Sequence, residues 1–223
     1  DSDFSPAYGR DDFGVIFFTS SRDDAAGNKT HGATGQGFTD IFESRLDKKS
    51  KWSTPVPVAE LNSDSEEGTP SFSSDFNEVY FTRCEAGKRE MKGCVIMVSK
   101  RSGDSWSNPE SLEILPDTMV TAHPSLSADG LTLYFVSDMP GGYGLKDIYK
   151  VTRIDESDSW SEPENLGPDI NTGGNVLFPF SRDDGSLYFA SDGHIGMGGL
   201  DIFRAVLQPD GSWNIRNMQS PVN

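Results

Sequence analysis

The stretch that decides the fold reads Leu133-Tyr134-Phe135-Val136-Ser137-Asp138, then Asp147-Ile148-Tyr149, then Trp160-Ser161-Glu162-Pro163. Its landmark is the tryptophan, because this chain of 223 residues has only four of them. They are Trp52, Trp106, Trp160 and Trp213, at intervals of 54, 54 and 53 residues. Self-similarity at a period of about fifty residues is typical of solenoids, repeat arrays and propellers.

Each period contains four short segments that are rich in aromatic and β-branched residues. One of them is a hydrophobic triplet upstream of the tryptophan: Asp40-Ile41-Phe42, Val95-Ile96-Met97, Asp147-Ile148-Tyr149 and Asp201-Ile202-Phe203. Turn residues such as Asp183-Asp184-Gly185 separate the segments, and no window has the apolar spacing of a helix. Four short strands per repeat predict the blade of a β-propeller, an all-β fold whose small sheets pack face to face.

The repeat predicts four visible blades within a single domain, at about residues 1–62, 63–117, 118–171 and 172–223. Asn62, Asn171 and Asn223 mark three of the boundaries, since they lie 10, 11 and 10 residues after their tryptophans. A propeller is usually closed by a blade built from both chain ends, which removes free sheet edges. Nothing in the sequence supplies such a blade. We therefore expect at least one further blade in a longer multidomain protein, although direct closure of four blades is the alternative.

The two cysteines occupy slots that other blades fill with aspartates. One slot follows the second strand and holds Ser21, Cys84, Asp138 and Asp192; the other begins the third strand and holds Asp40, Cys94, Asp147 and Asp201. Residues opposed across a hairpin have Cβ atoms about 4.5 to 5.5 Å apart, near the separation that a disulfide requires. We predict a Cys84–Cys94 disulfide and an oxidising compartment. The alternative is a pair of reduced thiols in a cytoplasmic protein.

The aspartates of these slots have two interpretations. They could share a Ca²⁺ ion, or they could accept hydrogen bonds from the backbone of the glycine-rich loops between them. The alternating oxygen spacing of a calcium loop is absent, which favours the second interpretation. Asp40, Asp147 and Asp201 are thus predicted to be structural anchors of the repeat, and neither a metal nor another cofactor is expected.

The tryptophans are predicted to be anchors as well. A tryptophan ring on the surface could stack on a sugar, but the same slot is filled in all four repeats. A ring that recurs in this way is expected to pack between blades.

Composition and motifs exclude several classes of function. A net charge of −16 and a pI near 4.4 argue against nucleic acid or an anionic membrane as partner. No apolar stretch is long enough to span a membrane, so no direct insertion of this segment is expected. The three histidines lie in different repeats, and neither a nucleophile elbow nor a phosphate-binding loop occurs. We therefore predict that the chain is not an enzyme.

The run Pro124-Ser125-Leu126-Ser127-Ala128-Asp129-Gly130, with the strands and the Trp160 motif that follow it, resembles the TolB-type, WD-like propeller repeat. The Trp-Ser-x-Pro-x-x-Leu endings are also similar to the propeller of OmpA-family envelope proteins of Bacteroidetes, such as those of the type IX secretion system. This resemblance implies a periplasmic location associated with the outer membrane, and more than four blades. The cysteines of the second blade and the long loop from Ser21 to Thr39 depart from the pattern.

Two functions remain open at this point. The first is a non-catalytic scaffold that binds envelope proteins, as an accessory component of an outer-membrane-associated secretion machinery; the alternative is a propeller that binds or hydrolyses glycan or peptide. A docking face is expected to carry apolar residues on loops. The loops between second and third strands offer Phe38, Met139, Tyr143 and Met197, together with Leu145, Ile195 and Leu200. The negative charge favours a basic partner.

Overall fold

The computed structural model describes residues 2–25, 38–86, 91–116 and 118–223. The chain forms two compact units, Asp1–Glu113 and Ile114–Asn223. Each unit contains two antiparallel sheets, and the described residues form no helix, hence none that could cross a membrane. Most of the long loop from Ser21 to Thr39, residues 26–37, lies outside the described residues.

The first unit holds the first and second sheets, whose strands follow one another in chain order. The first sheet consists of β1 (Asp3–Tyr8), β2 (Val15–Ser20), β3 (Asp40–Arg45) and β4 (Val56–Pro57). The second consists of β5 (Glu66–Phe72), β6 (Glu78–Ala86) and β7 (Met91–Ser102), and two short strands, β8 (Ser105–Trp106) and β9 (Glu110–Ser111), both pair with β7.

The second unit repeats this plan in its two sheets. The third sheet consists of β10 (Ala122–Leu126), β11 (Thr132–Ser137), β12 (Asp147–Thr152) and β13 (Glu164–Asn165). The fourth consists of β14 (Val176–Ser181), β15 (Ser186–Ser191), β16 (Asp201–Leu207) and β17 (Trp213–Asn217). The predicted fold class, all-β with four antiparallel sheets of propeller-blade type, is confirmed. A single domain and a further blade stay predictions.

Within each unit, the first strand of the later sheet covers one face of the earlier sheet. In the second unit β14 lies across β10, β11 and β12, and it buries Ile148 and Val136 against Leu187 and Phe189. In the first unit β5 lies across β1, β2 and β3, where Ile41 is fully buried. Alternation of side chains along each strand supplies this apolar face, and its burial is the main stabilising contribution to each pair of sheets.

A β-bulge interrupts the first strand of every sheet. The bulge residue has a positive φ and directly precedes a proline, at Ser5, Thr69, His123 and Phe178. Within each unit the bulge N–H of the later sheet donates a hydrogen bond to the earlier sheet. Thr69 donates to the Thr19 hydroxyl at 2.8 Å, and Phe178 donates to His123 Nδ1 at 3.3 Å. The X-Pro step is therefore a second marker of the repeat, one that tryptophan spacing does not reveal.

The predicted disulfide is confirmed. Cys84 and Cys94 are bonded and lie directly opposite each other in the β6–β7 ladder, with 4.1 Å between their Cα atoms. The slot assignment of Cys94 was wrong by one residue, because the ladder places Val95 where other sheets have the aspartate. Ile96 pairs with Thr82 as Ile148 pairs with Val136, so the residue before Ile96 fills that slot.

The tryptophans contact the end of the third strand in their own sheet. Leu46, Arg101 and Leu207 pair with Trp52, Trp106 and Trp213, respectively, and the Arg153 guanidinium lies 4.4 Å from the Trp160 ring centroid. Trp106 also belongs to the core that joins the first and second sheets, as the prediction requires. Trp52, in contrast, is 40% exposed. The recurring role of the ring is thus to cover the third strand.

An asparagine clamp fastens the end of three sheets to the third strand. The Asn171 amide accepts from Ile148 N at 2.8 Å and donates to Ile148 O at 2.9 Å. Asn62 makes the same two bonds with Ile41, and Asn223 makes them with Ile202. The regular spacing of these asparagines after the tryptophans has this physical cause.

Candidate functional site

Two glycine-rich loops of the second unit are held by buried carboxylates. Asp147, at the start of β12, accepts hydrogen bonds from Tyr143 N at 2.6 Å, Gly144 N at 3.0 Å and Asn165 Nδ2 at 3.0 Å. Asp201, at the start of β16, accepts from the backbone N–H groups of Met197 and Gly198. These bonds compensate the carboxylates for their loss of water. For Asp147 and Asp201, the interpretation as loop anchors agrees with the structure.

Asp138 and Asp192 lie at the other end of these loops. They were also predicted to accept hydrogen bonds from the loop backbone, but their partners are elsewhere. Asp138 accepts from Val120 N at 3.1 Å, and Asp192 accepts from Asn175 N at 2.6 Å and Asn175 Nδ2 at 3.0 Å. Both therefore hold the segment that leads into a first strand. The Asn175 side chain and backbone hold the pKa of Asp192 below its usual value. Among the described residues, no group of three acidic, histidine or cysteine side chains is arranged to hold a metal ion. Residues 26–37 of the loop before Asp40 lie outside the described residues, although Asp40 itself is buried.

A linker, residues 172–175, contacts both loops. Leu145 N donates to Gly174 O at 2.9 Å on one side of the linker, and Asp192 holds Asn175 on the other. Gly144 lies so close to the linker that an added Cβ would be 2.0 Å from Thr172 O and 2.3 Å from Gly174 O. Only glycine permits this approach.

Replacing Gly144 by alanine should therefore separate the first loop from the linker and lower the free energy of unfolding by about 1–3 kcal/mol. Gly173→Ala is the matched control, since an added Cβ there meets no atom within 4 Å. Urea unfolding of both variants measures the difference. Equal stability of the two variants would contradict the close approach at Gly144.

Five apolar side chains project from these loops. Their exposed fractions range from 49% to 98%, and we call them the loop surface: Tyr143, Leu145, Ile195, Met197 and Leu200. Met139, which was also predicted for a partner-binding face, is half-buried. Phe38 is only 5% exposed and is packed in the first unit, so its assignment to that face was wrong. An aromatic residue beside a glycine-rich loop has the same local sequence pattern whether it faces the core or the solvent.

His123 is a half-buried imidazole on the first strand of the third sheet. Its ring stacks on Phe178 with 4.1 Å between ring centroids and 7° between planes. Burial, and to a lesser extent the positive charge of Lys146, lowers the pKa of His123 to about 4. Because Nδ1 accepts the hydrogen bond of Phe178 N, the neutral ring carries its proton on Nε2. Sequence reasoning did not predict this stacking.

A polar cavity of about 410 Å³ opens in the first unit beside Arg10, Asp75, Phe76, Arg101 and Asp104. Its two arginines already have partners. Arg10 pairs with Asp104 at 3.0 Å, and Arg101 donates to Phe76 O and Gly9 O. Burial and then the neighbouring Arg10 lower the pKa of Arg101. These contacts join the hairpins of the two sheets, so the cavity has a structural explanation.

Comparisons with known proteins connect this chain to a widespread fold. No family model matches it, and no curated protein matches its sequence. Among solved structures, a puromycin-hydrolyzing peptidase from Mycobacterium tuberculosis shares 16% identity at a TM-score of 0.56, over 98% of this chain and 31% of the peptidase. A putative TolB from Agrobacterium tumefaciens shares 19% identity at a TM-score of 0.55, over 93% of this chain and 62% of that protein. The chain thus spans less than two thirds of either structure.

An α-L-arabinofuranosidase from Lactobacillus brevis is also similar, with 12% identity and a TM-score of 0.56 over 98% of this chain and 76% of the enzyme. A family-43 glycoside hydrolase and a further arabinofuranosidase share the fold as well. The prediction that this chain is not an enzyme is therefore overturned, because its structural neighbours are mostly enzymes. At identities below 20% they share its fold and no particular reaction. The resemblance to the TolB-type repeat is confirmed as a likeness of fold, and none of these matches is an OmpA-family protein.

Proposed function

We propose that this domain docks a protein partner through the loop surface of its second unit. The observation that carries the proposal is the exposure of five apolar side chains, between 49% and 98%, on two adjoining loops. Exposed apolar side chains on loops that contact a common linker are typical of interaction sites, because contact with a partner removes them from water.

The loops are also ordered before a partner arrives. Buried Asp147 and Asp201 hold the loop backbones through four hydrogen bonds from loop N–H groups. Binding then costs less conformational entropy than the ordering of a free loop would, which raises the affinity that a given contact area can provide. Exposed apolar side chains on a fixed backbone are what a docking site requires.

The expected partner is a protein with apolar side chains at its contact and a net positive charge. The chain carries 35 acidic and 19 basic residues, so its field attracts a basic protein and repels an acidic one. Salt screens this attraction over about 8–10 Å, so association is expected to slow as ionic strength rises.

We place the domain in the cell envelope, on the periplasmic side of the outer membrane, as an accessory component of a secretion machinery. The Cys84–Cys94 disulfide supports an oxidising compartment. The assignment to a secretion machinery rests on the resemblance of the tryptophan-containing endings to OmpA-family propellers. The partner is accordingly an envelope protein.

Changing Tyr143 and Met197 together to alanine should reduce recovery of a basic envelope partner at least about tenfold, because both side chains are exposed on the loop surface. The measurement is quantitative pull-down from envelope extract with the whole chain as bait. Ile154→Ala is the matched control, since Ile154 is 92% exposed in the same unit but follows the opposite end of β12. Loss of the partner with Ile154→Ala, and not with the loop variant, would contradict the assignment.

A second candidate function is binding or hydrolysis of a glycan or peptide. It is favoured by His123, whose neutral imidazole on the first strand of the third sheet lies against the Phe178 ring. The solved structures with the same fold include a peptidase and an arabinofuranosidase. Turnover of a glycan or peptide by the purified chain, lost in His123→Gln, would select this function over docking.

A further inference from the structure

One face of the fourth sheet is exposed, although the equivalent face of the first and third sheets is buried. Ile202 occupies the slot of Ile41 and Ile148, both of which are fully buried under the next sheet of their unit. Ile202 itself is 39% exposed. Phe180 and Tyr188, which pair across β14 and β15, lie on the same side as Ile202, and Phe180 is 58% exposed. We call this the end face: Phe180, Tyr188, Ala190 and Ile202.

The fourth sheet also carries the clamp that accompanies a covered face. Asn171 closes the third sheet on Ile148, and β14 then begins five residues later, at Val176. Asn62 closes the first sheet on Ile41, and Glu67 of β5 follows at the same interval of five residues. Asn223 makes the same two bonds to Ile202, at 2.7 and 3.0 Å. The fourth sheet therefore has the same clamp that precedes the next sheet in the other two cases.

The chemistry of the end face indicates the kind of surface that covers it. Its apolar centre matches the inner face of a sheet of this repeat, such as Leu187 and Phe189, which cover Ile148. Arg204 and Arg216 lie opposite each other in the strand register at its border, and the Arg204 guanidinium is already paired with Asp184 at 3.3 Å. A sheet of the same type complements the apolar centre.

The first sheet carries an apolar face equivalent to that of Leu187 and Phe189, and this face is not fully covered. Ile16 and Phe18 hold the slots of Leu187 and Phe189 by strand register, but both are only partly buried. Asp3 lies opposite Ser20 in the strand register, and its carboxylate is bonded to Arg22 and Ser20 of its own sheet. A sheet with these residues is a suitable occupant for the end face.

We propose that the end face is the docking surface for a further four-stranded blade of this repeat, which covers Ile202 as β14 covers Ile148. The occupant is a sheet with apolar residues in the slots of Leu187 and Phe189. This inference is independent of the loop surface and of the partner that binds there.

A tandem chain tests the proposal with a blade that the protein itself provides. A second copy of residues 1–223 is joined after Asn223 through Gly-Gly, which sets Asp3 of that copy five residues after the clamp, as Val176 is after Asn171. The first copy carries Ile202→Cys, and the natural cysteines are bonded to each other, so the new thiol is the one available for labelling.

Maleimide labelling of Ile202→Cys should be at least about tenfold slower in the tandem chain than in the single chain. Phe180→Cys is expected to give the same result and serves if Ile202→Cys fails to fold. Ile195→Cys, on the loop surface and 98% exposed, should label equally fast in both chains. Unchanged labelling at both Ile202→Cys and Phe180→Cys, or equal slowing at Ile195→Cys, would overturn the proposal.

Discussion

Replacing Arg83 by methionine should lower the free energy of unfolding by about 3–5 kcal/mol, because it leaves a carboxylate buried without its counter-ion. The side chain of Glu67 is completely buried, and its Oε1 accepts from Arg83 Nε at 2.6 Å. Ser63 also donates to this carboxylate, through its hydroxyl at 2.5 Å and its backbone N–H at 3.1 Å. Two bonds from Ser63 do not neutralise a full charge. Urea unfolding at neutral pH with the disulfide intact is the measurement.

The double variant Glu67→Leu with Arg83→Met separates the charge from the loss of packing. Substitution of both partners by apolar residues removes the buried charge, so the double variant should be more stable than Arg83→Met alone. Arg83 also donates to Leu61 O at 3.0 Å, and this bond is lost in both variants. A double variant as unstable as the single one would show that the ion pair itself contributes little.

Changing Asn171 to alanine should lower the free energy of unfolding by about 1–3 kcal/mol, since it leaves one buried backbone N–H group without a partner. That group is the N–H of Ile148, a residue with no exposed surface, whereas Ile148 O also accepts a hydrogen bond from Leu166 N at 3.2 Å. Alanine cannot replace either bond, and water cannot reach Ile148.

Asn223→Ala removes the same two bonds from a more exposed site and is therefore the matched control. Because Ile202 and its clamp are accessible to water, the loss is expected to be about 1 kcal/mol or less. Urea unfolding of the two variants under one set of conditions gives the comparison. If Asn223→Ala destabilised the chain as much as Asn171→Ala, burial would not explain the strength of the clamp.

Sequence periodicity predicted the sheets and the disulfide because both depend on short-range order. Trp52, Trp106, Trp160 and Trp213 mark successive sheets since each covers the end of its own third strand. Cys84 and Cys94 flank one hairpin, so their pairing follows from strand geometry alone. Even an error of one residue in the slot of Cys94 left the pairing correct.

The features that sequence reasoning missed depend on distant partners or on unusual backbone geometry. Asn171 binds the backbone of Ile148, which is 23 residues earlier and carries no side-chain signal of the contact. Asp138 and Asp147 look equivalent at the two ends of a loop, yet only Asp147 bonds to the loop. His123 precedes a proline, where extended backbone is the rule, but it has a φ of 51°. Only tertiary packing selects such a conformation.

The activity of the chain was the least predictable property. The absence of short catalytic motifs led to the prediction that it is not an enzyme, whereas the same fold occurs in a peptidase and in glycoside hydrolases. Motifs of the kind sought are local in sequence. Residues such as His123 and Phe178, in contrast, come from different sheets and meet only in the folded unit.

The bulge hydrogen bonds give each unit a direction of assembly. Thr69 and Phe178 turn their N–H groups away from their own sheets, and the acceptors, Thr19 and His123, belong to the sheet that precedes them in the chain. The bulge N–H of a later sheet therefore finds its acceptor within the protein only when the earlier sheet has folded. During synthesis from the N-terminus the sheet that carries the acceptor is made first, so the next sheet can pack onto a sheet that is already folded. Cooperativity in such a chain passes between neighbours, from the first sheet of a unit to the second.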